Sequence, residues 1–262
     1  EGARRDDGRQ LKATLGQAGY EDRVIVMRTG ATSELSSGVS REQADLIKQA
    51  AGVRKDADGR GIASAELLVI ADLPKADTGT LANAAVRGVQ PEAFLLRPEV
   101  KIVEGRRFEP GPRELIVGAK AAKQFAGIEV GKEIEFRDAN WKIVGIFEAG
   151  GGVHESEFWT DAEVAQAAYR RNGFQSVTVQ LESKGALQAF KDAMTADPRL
   201  QSKVQTLKDY YAAQSKQLAM LINVLGYFVG VIMAVGAVFG ALNTMYAAIS
   251  TRTKEIATLR AM

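Results

Sequence analysis

The chain has 262 residues, with 34 Lys and Arg, 32 Asp and Glu, one histidine, no cysteine and a formal net charge of +2. This balance lacks the basic excess of a nucleic-acid-binding surface, so we predict no nucleic-acid partner. Because there is no cysteine, the fold does not depend on disulfides, which is compatible with either a cytoplasmic or a periplasmic location.

The first ninety residues predict a strand, a helix and two further strands after a charged connecting helix over residues 1–20. The helix after Ser40 has Gln43 at the capping-box position, and Gly52 ends it. The strands are runs of apolar and β-branched residues bounded by turn residues. They are predicted at 23–28, 65–73 and 81–89.

From Pro91 the chain changes to short strands with frequent Gly and Pro, which is typical of a β-rich lobe. Within it, 138–140 is predicted as a turn into the strand 141–147. A helix is predicted to begin near Thr160 or Asp161, with acidic residues in its first turn.

The chain then returns to a strand, a helix ended by Asp197-Pro198, and another strand over 202–208. This closing pattern completes the one begun before Pro91. We therefore predict an α+β fold of two lobes: a ferredoxin-like α/β lobe with an inserted β-rich lobe at about residues 91–171.

Motifs for catalysis are incomplete. In GIEVGKEI, three residues separate Gly127 from Gly131 and Glu133 follows Lys132, whereas a phosphate loop needs four residues and then a Ser or Thr after the lysine. There is also no G-x-S-x-G nucleophile motif. We predict that the chain is not an enzyme, with no catalytic residue and no cofactor.

His154 lies close to Glu155, Glu157 and Asp161, a grouping that suits a metal or acid–base site. A run of glycines at 150–152 precedes it, and it is the single histidine. We therefore favour a surface loop and predict no metal site. The other carboxylates are interspersed with Lys and Arg, as on solvated surfaces.

An uncharged run extends from Leu218 to Leu242 and continues to Thr251. A helix of about 25 residues is roughly 37 Å long, enough to cross a hydrocarbon layer of about 30 Å. We predict a transmembrane helix over 217–251; the alternative is a helix buried in a soluble core. Since the chain begins with Glu1, we interpret it as a piece of a longer membrane protein.

Small residues recur four apart within this span. Such spacing lets another helix approach closely in lipid, so we predict helix packing through them together with the strongly polar Asn223. The predicted packing residues are Asn223, Gly226, Gly230, Gly236 and Gly240. The alternative is that these glycines merely fill a span rich in small residues.

The segment AVFGALNTMYAAISTRTKEIATLRAM resembles the part of FtsX-like ABC-transporter permeases in which a transmembrane helix runs into a cytoplasmic R-T-x-E-I-x-x-L-R-A motif. The upstream region resembles the MacB-type periplasmic core domain of such permeases. The motifs that carry this second resemblance, in their usual order, are VRGV (86–89), VEGRRF (103–108), ELIVG (114–118), VGKEIEF (130–136) and WKIVGIF (141–147).

The resemblance implies a permease subunit in a bacterial inner membrane, with residues 1 to about 216 in the periplasm or extracellular space and a cytoplasmic segment from Arg252. Lysines and arginines before and after the span tie in number, so the positive-inside rule leaves the orientation open and the resemblance decides it. The implied partners are a separate ABC ATPase subunit, a second permease copy and membrane lipid, with a periplasmic adaptor if the function is export.

The resemblance also implies mechanical coupling of ATP hydrolysis to the external domain, for export or extraction of a lipid, lipoprotein, peptide or drug. The residues implied to contact the ATPase, here called the coupling segment, are Arg252, Thr253, Lys254, Glu255, Ile256, Leu259 and Arg260. The alternative function is a signalling scaffold that activates a periplasmic enzyme such as a cell-wall hydrolase.

Overall fold

The computed structural model describes residues 22–200 and 202–261; the helix predicted over residues 1–20 lies outside them. The chain divides into two compact units, residues 1–210 and 211–262. The described strands are β1 (Arg23–Arg28), β2 (Val39–Ser40), β3 (Ala63–Pro74), β4 (Leu81–Val89), β5 (Lys101–Gly105), β6 (Glu114–Gly118), β7 (Glu133–Phe136), β8 (Ala139–Glu148), β9 (Glu157–Asp161), β10 (Gly173–Phe174), β11 (Ser176–Gln180) and β12 (Ser202–Thr206).

The described α-helices are interspersed among these strands, and two short 3₁₀ turns lie at Glu34–Ser36 and Val153–Ser156. The α-helices are α1 (Arg41–Gln49), α2 (Ala93–Leu96), α3 (Ala119–Gln124), α4 (Ala162–Ala168), α5 (Ala186–Ala196) and α6 (Leu207–Ala261).

Four strands confirm the predicted ferredoxin-like lobe. β12 pairs with β1, β1 with β11 and β11 with β3, and all three pairings are antiparallel. The connections β1–α1–β3 and β11–α5–β12 each cross the sheet through a helix, as joined strands of the same direction require. The predicted capping box at α1 is also present: Ser40 Oγ accepts from Gln43 N at 3.1 Å, and Gln43 Oε1 accepts from Ser40 N at 3.0 Å.

The long strand β3 belongs both to this lobe and to the part of the sheet that extends beyond it. Its first part pairs with β11 through Ala63–Glu66, and its second part pairs with β4 through Leu67–Pro74. The sheet continues through β9, β6, β8 and β5, with β7 beside β8. The β-rich insertion therefore extends the sheet of the ferredoxin-like lobe.

Three hydrophobic clusters cover this sheet. Ile47 of α1 and Phe190 of α5 lie in the cluster beneath the ferredoxin-like strands. Phe158 and Trp159, adjacent on β9, belong to the two other clusters. Because successive residues of a strand point to opposite faces, these two clusters lie on opposite faces of the inserted strands.

Two local predictions were wrong. The β7–β8 hairpin turns at Arg137 and Asp138, both with φ near +55°, and Ala139 already pairs with Phe136. The turn thus lies one residue earlier than 138–140, since a two-residue turn with two positive φ angles matches the twist of paired strands. The strand β9, which pairs with β4 and β6, was missed because all five of its residues are buried, so it lacks the alternation of apolar and polar residues that marks a half-buried strand.

α6 is a single 55-residue helix. Its segment Ile222–Ser250 has a mean hydropathy of 2.2 and is long and apolar enough to cross a membrane. None of its most apolar window is buried, which distinguishes it from the buried core helix considered above. The predicted apolar helix after the α+β domain is confirmed.

Candidate functional site

The predicted packing residues occupy two sides of α6. Asn223, Gly226 and Gly230 line one shallow groove together with Tyr227 and Ala234. At about 100° per residue, Gly236 and Gly240 lie roughly 80° further round the helix axis. A Cβ added at any of the four glycines would meet no heavy atom within 4 Å, so both sides are open to a neighbouring helix.

The coupling segment continues α6 as helix. Leu259 is 77% exposed, and Arg252 and Arg260 are exposed as well.

A buried charge cluster lies where the ferredoxin-like lobe meets the insertion. Its side chains come from three strands, two 3₁₀ turns and the residue that follows α2, and they are at most 8% exposed. The members are Glu34, Glu66, Arg87, Arg97, His154 and Glu157. Burying so many charges is costly unless each is paired and hydrogen-bonded, so their geometry decides what the cluster does.

Arg87 on β4 is the centre of the cluster. Its Nε and Nη2 each donate to a carboxylate oxygen of Glu157 at 2.9 Å. Its Nη1 and Nη2 donate to the two oxygens of Glu34 at 2.9 and 3.0 Å, and Nη1 also donates to Glu66 at 2.8 Å. One guanidinium thus joins β3, β9 and the 3₁₀ turn at Glu34–Ser36.

Arg97, which follows α2, forms the second centre. Its Nη1 and Nη2 donate to the two oxygens of Glu66 at 2.6 and 3.0 Å. Its Nε donates to His154 Nε2 at 3.2 Å. Because a guanidinium nitrogen is always a donor, His154 Nε2 accepts, and Nδ1 is left to donate to Glu157, 3.0 Å away.

The ion pairs determine the protonation of the carboxylates. Burial alone would raise the pKa of Glu157, but Arg87 and His154 outweigh it and hold that pKa well below its usual value. Burial also opposes the charge of Glu34, and Arg87 and Ser176 nevertheless lower its pKa. Burial would lower the pKa of Arg87, yet Glu157 and Glu34 raise it well above the ordinary range. Glu34 and Glu157 therefore stay ionised at neutral pH.

Every carboxylate oxygen in the cluster accepts at least one hydrogen bond. The remaining donors include Ser176 Oγ, 2.6 Å from Glu34, and Trp159 Nε1, 2.8 Å from Glu157. Across residues 22–200 and 202–261, no group of three or more potential ligands is arranged to hold a metal ion. A saturated network of this kind fixes the relative positions of the elements that it joins.

The sequence-based interpretation of these residues was wrong. His154 and Glu157 are buried, not in a surface loop, and Glu34 and Glu66 do not lie on solvated faces. The reason is tertiary: partners from elements far apart in the chain compensate each charge. A signal was present, because Glu66 and Arg87 each interrupt an otherwise apolar strand, in AELLVI and AAVRGV.

The fold and the helix define an α+β domain followed by an apolar helix that could span a membrane. The chain belongs to the MacB-like periplasmic core domain family, whose profile matches residues 1–197.

Solved structures agree on the fold. The extracellular domain of the noncanonic ABC-type transporter YknZ from Gram-positive bacteria matches with a TM-score of 0.52 and 14% identity, over 70% of this chain and 99% of that one. The periplasmic region of MacB from Actinobacillus actinomycetemcomitans matches with a TM-score of 0.55 and 11% identity, over 79% of this chain and 98% of that one. No curated protein matches the sequence.

Proposed function

We propose that this chain is part of the permease subunit of an ABC transporter, coupling cytoplasmic ATP hydrolysis to an external domain. The cargo class is a lipid, lipoprotein, peptide or drug. One observation carries the proposal. A MacB-like core domain is joined by one continuous helix, with a span of membrane-crossing length, to the coupling segment.

The coupling segment would bind the ATPase subunit. In this proposal Leu259 and Ile256 are apolar anchors, and Arg252, Glu255 and Arg260 make polar contacts at the rim. Thr253 and Lys254 complete the bound helix. The 77% exposure of Leu259 supports this role, because a large apolar side chain at a helix end gains free energy when a partner covers it.

The two open sides of α6 would pack against other helices of the membrane-embedded permease. The groove at Asn223, Gly226 and Gly230 is the proposed contact with the second permease copy. Gly236 and Gly240 would accept another helix. Close backbone approach and a hydrogen bond from Asn223 are the forces available in lipid, where burial of apolar surface contributes little.

The test is purification of the full-length protein from its native membrane, with mass spectrometry of the proteins that accompany it. We expect an ABC ATPase. A Glu255→Arg, Leu259→Asp double variant should lose it. A matched double variant on the external domain, Glu182→Arg with Leu95→Asp, changes two exposed residues in the same way and should retain it.

The proteins that co-purify test the proposal and distinguish export from signalling. Absence of an ATPase from the wild-type preparation, or its retention by the coupling-segment variant, would contradict the proposal. A periplasmic adaptor beside the ATPase would support export. A cell-wall hydrolase in its place would instead support the signalling scaffold.

A further inference from the structure

Tyr210 connects the first turn of α6 to the external domain. It is the fourth residue of the helix and is 3% exposed. Its hydroxyl oxygen accepts a hydrogen bond from the backbone N–H of Glu34 at 3.3 Å. The start of α6 is therefore bonded to the 3₁₀ turn that supplies one carboxylate of the buried charge cluster.

The contacts continue from Glu34 into the insertion. Both terminal nitrogens of Arg87 donate hydrogen bonds to the carboxylate of Glu34. The same guanidinium donates two hydrogen bonds of 2.9 Å to Glu157. Glu157 begins β9, which pairs in parallel with β4 and antiparallel with β6. Three side chains, those of Tyr210, Glu34 and Arg87, thus link the first turn of α6 to the strands of the insertion.

This route is shorter than the one through the sheet. β12, which leads into α6, reaches β9 only across β1, β11, β3 and β4. Buried, doubly hydrogen-bonded ion pairs also tolerate little change in geometry, because an uncompensated charge in a low-dielectric interior is costly. A shift of Glu34 must consequently move Arg87 or break the pair.

We propose that Tyr210, Glu34 and Arg87 form the linkage through which a displacement of α6 reaches the inserted strands, with Tyr210 as the positioning residue. The inference rests on the proposed function, since it supplies the step between the helix and the external domain. Energetic coupling of this kind is demonstrated only by perturbing one end and measuring at the other.

The first experiment is hydrogen–deuterium exchange on the full chain in detergent, without nucleotide. Tyr210→Phe removes one hydroxyl and keeps the ring. Relative to the wild type, we expect backbone amides in residues 31–40 of Tyr210→Phe to exchange about fivefold faster, which is the effect of losing one net hydrogen bond. We also expect faster amide exchange in β4 and β9. Tyr169→Phe is the matched control, because the buried Tyr169 hydroxyl has no hydrogen-bond partner among the described residues.

Faster exchange confined to residues 31–40, or an equal rise in β4 and β9 in Tyr169→Phe, would overturn the linkage. The exchange experiment on the full chain needs no ATPase. It therefore tests the linkage even if no ATPase co-purifies and the proposed function fails.

The second experiment uses the complex with its co-purified ATPase. Trapping the nucleotide state with ADP and vanadate should change exchange in β9 of the wild type, and Tyr210→Phe should abolish that change while the ATPase remains bound. If the change persists in Tyr210→Phe, the linkage is overturned and the proposed function stands.

Discussion

Arg87 on β4 and Glu157 on β9 form a fork-to-fork ion pair, with two hydrogen bonds of 2.9 Å between neighbouring parallel strands. The same guanidinium holds Glu34 and Glu66. The two lobes of the external domain thus share one buried cation, which three carboxylates surround.

Replacing Arg87 by methionine should destabilise the domain by about 3–5 kcal/mol, because three buried carboxylates lose their shared partner. The measurement is urea denaturation followed by the fluorescence of Trp141 and Trp159, both fully buried in the external domain. The control is Arg60→Met, since Arg60 forms its ion pairs at the exposed surface and should change the midpoint little. A similar loss in both variants would argue against a special role for the buried cluster.

Stability should fall as the medium is acidified below about pH 4.5. The folded-state pKa values of Glu34 and Glu157 lie below the ordinary value of 4.5, so their stabilising contribution is complete above that pH. It is lost as the pH falls through the ordinary value toward the lower folded values, because the unfolded state then binds more protons.

The measurement is the urea midpoint at pH 7 and at pH 4 for the wild type and for Glu34→Gln. The variant lacks one of the carboxylates whose pKa is lowered in the folded state, so its midpoint should change less between the two conditions. An unchanged pH dependence in Glu34→Gln would show that other groups are responsible.

Gly118→Ala should destabilise the domain by about 1–3 kcal/mol through overpacking. A Cβ at Gly118 would lie 2.2 Å from the backbone oxygen of Glu155, and backbone cannot rotate aside as a side chain can. Gly38→Ala is the control, because no heavy atom lies within 4 Å of its added Cβ. Equal denaturation midpoints for the two variants would contradict the close approach of the Glu155 backbone to Gly118.

The proposed contact between two copies predicts that filling the groove on α6 weakens their association. In an affinity purification of a tagged copy, we expect the Gly226→Ile, Gly230→Ile double variant to reduce the amount of untagged copy recovered by about tenfold. This corresponds to a loss of about 1–2 kcal/mol of association free energy. The measurement uses membranes from cells that express this protein without the proposed ATPase partner.

The control for that experiment, Val224→Phe with Val235→Phe, adds bulk on another side of the helix and should leave recovery unchanged. Gly236→Ile with Gly240→Ile then tests the second open side. If only the Gly236→Ile, Gly240→Ile variant lowers the recovery of the untagged copy, the two copies contact each other through the Gly236 and Gly240 side of α6, contrary to the proposed contact.

Much of the fold was predictable from the sequence. Ser40 with Gln43 marked the start of α1, and the uncharged run after Lys216 marked the apolar part of α6. The strand–helix–strand pattern on both sides of the insertion specified the ferredoxin-like lobe. These features depend on residues near one another in the chain, through capping, periodicity and hydropathy, so they could be predicted without the tertiary structure.

The buried charge cluster could not be predicted in this way, because its members are brought together by the folding of distant parts of the chain. Glu34 and Ser176 are 142 positions apart, and Glu34 and Tyr210 are 176 apart, so no local pattern relates them. The same carboxylate is solvated on a surface and ion-paired in an interior, and the difference is whether a guanidinium from another element reaches it. That depends partly on strand order: β4 lies beside both β3 and β9 in the sheet, and this placement brings Arg87 to Glu66 and Glu157.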